Sequence, residues 1–110
     1  MPKFITIGYG DEAGYDRTPE AVITTAHEYD ARLQREGAIT GIAGEPVQVR
    51  NPDATGVQVT KGPYLSASLP IAGFSLIEAD SLEDAVKMAA GVPCAVAHGV
   101  VEVWPLTEAQ

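Results

Sequence analysis

Ile71-Ala-Gly-Phe-Ser-Leu-Ile-Glu-Ala-Asp-Ser-Leu-Glu-Asp84 carries two structural signals in direct succession. Residues 71–79 are rich enough in branched and aromatic side chains for a strand, with Phe74, Leu76 and Glu78 about its centre. The next residues start a helix. Ser81 stands at the N-cap, Asp84 takes the place of the capping-box Glu, and acids fill the positive first turn. Leu82, Ala85, Val86 and Ala89 give this helix an apolar face, and Gly91 with Pro93 ends it. This strand and helix make one βα pair, and the order of the elements around it decides the arrangement.

Upstream, Lys3 to Tyr9 reads as a first strand in which Ile5, Ile7 and Tyr9 share one face and Phe4 lies on the other. Gly10 to Arg17, with its glycines and acids, reads as a loop. Thr18-Pro19-Glu20 predicts a helix start, with Thr18 as N-cap and Pro19 at the first helical position; the helix runs to about Glu36 and stops at Gly37. Val22, Ala26, Tyr29 and Leu33 form its expected buried stripe, widened by Ile23. Ile39 to Arg50 is extended but bent by Gly41, Gly44 and Pro46. Residues 47–50 and 57–60 alternate about the turn Asn51 to Gly56 as a hairpin, residues 61–70 are loop-like, and Val100 to Pro105 is the last strand.

The order βαββαβ predicts an α+β, ferredoxin-like sandwich with an additional hairpin: one antiparallel sheet with both helices on one face. Residues 1–106 form the expected single domain and 107–110 a polar tail. The other sheet face is left uncovered although it carries apolar residues, so a homodimer pairing sheet to sheet is expected.

Seven Lys and Arg against 15 Asp and Glu in 110 residues give a formal net charge of −8, which argues against nucleic acid or an anionic membrane as partner. The single Cys94 cannot form an internal disulfide, the N-terminus lacks a signal-peptide apolar region, and no apolar run suits a membrane span. A cytoplasmic protein is the expectation.

Phe4-Ile-Thr-Ile-Gly-Tyr-Gly-Asp-Glu12 opens the chain with a strand ending in Tyr-Gly-Asp. Leu33-Gln-Arg-Glu-Gly-Ala-Ile39 and Ala43-Gly-Glu45 close the first helix and the turn after it. Lys61-Gly-Pro-Tyr64, Gly73-Phe-Ser-Leu-Ile-Glu-Ala-Asp-Ser-Leu-Glu-Asp-Ala85 and Val101-Glu-Val-Trp-Pro105 follow in order. Together these stretches resemble the YCII-related family, and within it the subgroup named for an Asp-Gly-Pro-Phe tetrapeptide. The resemblance implies the dimeric α/β barrel superfamily, in which ferredoxin-like subunits pair through their sheets. One relative is a dehydrochlorinase acting on a chlorinated hydroxyhydroquinone, and a His with an acidic partner has been proposed as the active dyad of the wider family. His27 falls near the position of that His. Lys61 stands in place of the tetrapeptide's Asp and Tyr64 in place of its Phe, and the stretch before the hairpin is shortened. A role of that Asp therefore does not transfer.

His27 is the candidate general base, because imidazole titrates near neutrality. Asp30 on its own helix, and Asp11 or Glu45 from the loops, are the carboxylates able to orient it. The plain alternative is an exposed helical His beside an acid. Tyr64 and Lys61, flanking Gly62-Pro63, are candidates for holding a ligand and neutralising an enolate or carboxylate, against a plain role as turn residues. Tyr9, whose ring also suits a core or interface, is the third binding candidate. His98 reads as a loop residue and Cys94 as an inert thiol. Gly8, Gly10 and Gly14 lack the spacing of a dinucleotide loop, and the histidines and cysteine lack that of a zinc site. The expected activity is a cofactor-independent, metal-free proton-transfer lyase or isomerase acting on a small apolar or aromatic molecule between the sheet and the first helix. The alternative is a non-catalytic ligand-binding or interaction module.

Overall fold

The computed structural model describes residues 1–107; residues 108–110 of the expected polar tail lie outside the described residues. In chain order the elements are β1 (Lys3–Tyr9), α1 (Glu12–Asp16), α2 (Glu20–Arg35), β2 (Ile39–Ile42), β3 (Val47–Arg50), a 3-10 turn (Pro52–Ala54), β4 (Gln58–Lys61), β5 (Ile71–Glu78), α3 (Leu82–Ala89), α4 (Pro93–Val96) and β6 (Val100–Leu106). Strands β2, β5, β1 and β6 form a four-stranded antiparallel sheet in that spatial order, and β3 pairs with β4 alone in a two-stranded sheet. With the hairpin set aside, this strand order is consistent with a ferredoxin-like sandwich.

Alternation along β1 sorts its side chains. Phe4 and Thr6 are buried beneath the helices, and Ile5 and Ile7 lie on the opposite face. Phe4 packs with Ile77, Ala79 and Ala85, and with Ala38, Met88 and Val103 around them. Ala85 is fully buried, so a small side chain sets how closely α3 approaches the sheet. Ser81 caps α3 by accepting a hydrogen bond from the Asp84 amide at 3.1 Å.

Several local expectations change. The stretch read as a loop contains α1, whose N-cap Asp11 accepts from the Gly14 amide at 2.9 Å. Thr18 does not cap α2. Pro19 is the N-cap, and the buried Thr18 hydroxyl instead donates to the Gly14 carbonyl at 2.7 Å, tying the end of α1 to the start of α2. A further helical turn, α4, follows the expected stop at Gly91 and Pro93. Val22, Leu82 and Val86 are exposed, because Ala26 and Leu33 on α2, and Ala85, Met88 and Ala89 on α3, are the positions turned inward.

Two glycines make the junctions of these short helices possible. A Cβ on Gly14 would lie 2.3 Å from the Ala97 carbonyl oxygen, and one on Gly99 would lie 2.1 Å from the Tyr9 carbonyl oxygen. No side-chain rearrangement relieves a clash with backbone. Gly14→Ala and Gly99→Ala should each lose about 2 kcal/mol or more in urea unfolding, whereas Gly44→Ala, with nothing within 4 Å of its added Cβ, should stay within about 0.5 kcal/mol. Equal stability of the three variants would contradict these close approaches.

Candidate functional site

The helix-facing side of the sheet is filled at one end and empty at the other. Phe4 lies opposite Ile77, the next facing pair is Thr6 with Ser75, and the next is Gly8 with Gly73. Side-chain volume therefore falls from aromatic, to hydroxyl, to none along the two central strands. The result is a cleft of about 640 Å³ between the sheet and α2, within the size range of small-molecule sites.

Its floor is backbone at Gly8, Gly41 and Gly73, flanked by Ile42 and Val101. The Thr6 and Ser75 hydroxyls, hydrogen-bonded to each other, form its inner wall. His27, Asp30 and Gln34 reach it from α2, where spacings of three and four residues place them on neighbouring turns of one face. Asp11, Glu12 and Tyr15 enter from α1 and its cap, and Val92, Pro93 and Cys94 from the start of α4. Cys94 Sγ rests against Gly8, 3.0 Å from where a Cβ would stand, so Gly8 leaves the room this thiol occupies.

The Tyr15 and His27 rings lie 6.5 Å apart between centroids, tilted by 48°. Burial, with smaller contributions from Cys94 and Asp30, pushes the Tyr15 hydroxyl above its ordinary pKa. Burial, and then Asp30, likewise raises the Cys94 thiol. Both groups thus keep their protons at neutral pH and serve as donors. Among the described residues His27 makes no hydrogen bond or ion pair with a carboxylate. Asp30 is met instead by Gln34 at 3.5 Å. No group of three or more His, Cys, Asp or Glu among the described residues is placed to hold a metal ion.

Of the residues singled out from sequence, the fold brings His27, Asp11 and Asp30 to the cleft. Glu45 lies in the exposed connection between β2 and β3, outside the cleft wall. Lys61 ends β4, and Tyr64, 81 % exposed, faces the Arg50 guanidinium at 5.8 Å on the hairpin side. Tyr9 is buried away from the cleft and donates to Glu102 Oε1 at 2.6 Å, an interaction that raises its pKa. Tyr15, Thr6 and Ser75 carry no local motif. Only strand register and the α1 turn bring them in.

The chain matches the family model of the YCII-related domain over residues 3–110. None of the curated proteins matches it.

Because burial and the Asp30 carboxylate both disfavour the Cys94 thiolate, its alkylation by iodoacetamide should have a pH midpoint above the ordinary thiol value of about 8.5. Removing the charge in Asp30→Asn should move that midpoint down and accelerate labelling at about pH 8. A midpoint below the ordinary value in the unsubstituted chain, or an upward move in the variant, would contradict this electrostatic arrangement.

Proposed function

Since the chain belongs to the YCII-related family, we propose that it is a small-molecule enzyme of the proton-transfer lyase or isomerase type, needing no cofactor, with its reaction in the cleft between the sheet and α2. The observation that carries this reading is the convergence of an imidazole, two carboxylates and a protonated phenol on one cavity: His27, Asp11, Asp30 and Tyr15. His27 takes the role of general base. Asp11 or Asp30 orients the imidazole once a ligand draws the walls together, because hydrogen bonds of a catalytic pair commonly shorten only in the occupied site. Tyr15 supplies a hydroxyl donor to oxygen that gains charge as the proton leaves.

A second reading, a non-catalytic binding module, is favoured by the lack of a carboxylate bonded to His27 among the described residues. The two separate by experiment. Small metabolites that raise the melting temperature are followed by NMR in D2O for exchange of a carbon-bound proton and for product. The enzyme reading expects turnover that falls at least about 100-fold in His27→Ala. A ligand that stabilises both proteins equally and is never altered leaves binding alone.

We also propose that the chain pairs with a second copy through the open sheet face. Ile5, Ile39, Phe74 and Trp104 are exposed there, Trp104 by 55 %. The register places Ile39, Leu76, Ile5 and Trp104 in one row across the strands. A contiguous apolar row of this kind is a poor surface to leave in water. Sedimentation equilibrium should give twice the chain mass, and Trp104→Glu, which places a charge in that row, should weaken the pair by about 2 kcal/mol or more. A monomeric native chain, or a dimer indifferent to the substitution, would overturn the pairing.

A further inference from the structure

We infer that the cleft selects flat molecules that are neutral or cationic and discriminates against carboxylates and phosphates, a ligand class that rests on reading this cavity as the ligand site. Apart from the His27 imidazole, the charge of its walls is one-sided. Asp11, Glu12 and Asp30 line it, and none of the chain's seven Lys and Arg does. Arg32, on the same helix, is directed elsewhere: its guanidinium lies 5.0 Å over the Tyr29 ring and its Nε 3.9 Å from Glu36. Lys61, the cation expected from the sequence to neutralise a substrate anion, is on β4 and outside the wall.

Asp30 is half-buried, so its field is less screened than that of a surface acid, and it acts on both Tyr15 and Cys94. An anion entering here meets three carboxylates and no ammonium or guanidinium group. A cation meets the same carboxylates as partners, and a neutral molecule meets the hydroxyls of Tyr15, Thr6 and Ser75.

Shape follows from the floor. Neither Gly8 nor Gly73 raises a side chain, so the floor stays low between Cys94 Sγ, which rests against Gly8, and the Gly41 carbonyl, which approaches Gly73, and a flat group can enter over it. Ile42, Val101 and Pro93 border that strip, and α2 passes above it. A bulky, branched ligand would forfeit contact with the bare backbone, whereas a planar one uses both surfaces.

The test is an NMR titration of the full chain at low salt with three probes that share one ring system and differ in charge: 2-naphthylmethylamine, 2-naphthylmethanol and 2-naphthoate. The amine and the alcohol should bind at least about ten-fold more tightly than the carboxylate, with shifts at Gly8, Gly73, Tyr15 and His27. The amine-to-carboxylate ratio should contract several-fold in Asp30→Asn and again when salt is raised. Carboxylate binding as tight as that of the amine, or a ratio unchanged in the variant, overturns the charge selection. Shifts confined to other surfaces, or no binding by any probe, overturn the flat-ligand class. The titration reads binding alone, so absence of proton exchange sinks the enzymatic reading while leaving this one standing, and turnover of a carboxylate does the reverse.

Discussion

Strand β1 is hydrogen-bonded along both edges, in unbroken register with β6 from Lys3 to Tyr9 and with β5 from Lys3 to Gly8, where the register shifts before Tyr9. A slip of one residue would turn Phe4 outward and bring Ile5 beneath the helices. That double pairing settles the rest of the molecule. It brings Phe4 against Ile77 and Ala85 to make the core, and it brings Gly8 against Gly73 to make the hollow. Core and cleft are consequences of one ladder read at two heights.

The cleft is therefore not an opening between loosely joined parts. Its floor belongs to the two central strands, its roof to α2, and its end to two short helices held by close backbone contacts at Gly14 and Gly99. Groups placed by such elements keep their positions better than groups on free loops. The same closeness explains the protonation of its donors: partial burial of Tyr15 and Cys94 raises their pKa values, with Asp30 acting in the same direction.

The βαββαβ order and the Ser81 cap were legible because each depends on residues adjacent in the chain. The five-residue α1 and four-residue α4 were not, since neither is long enough to show a helical period, and both pack on distant partners: Gly14 on Ala97, and Cys94 on Gly8. Thr18 carried a capping signal, but the carbonyl left at the end of α1 took its hydroxyl. Among the site candidates, His27, Asp11 and Asp30 are set by the first two helices. Tyr64, Lys61 and Glu45 ride on the segment around the hairpin, whose position no periodicity specifies. Tyr15 became visible only once α1 turned it toward α2.

The hairpin forms its own two-stranded sheet. Its bonds are largely to itself: Gly62 donates to Pro46 at 3.1 Å, Gln48 to the Gly62 carbonyl at 3.2 Å, and Arg50 stands over Tyr64. Lengthening a loop of this kind adds only a slowly growing closure entropy, and none of its strand residues lines the cleft. Lys61 closes this arm and Tyr64 follows it. A residue inserted in the turn of the β3–β4 arm would therefore lengthen only that arm and leave the walls over Gly8 and Gly73 to the sandwich.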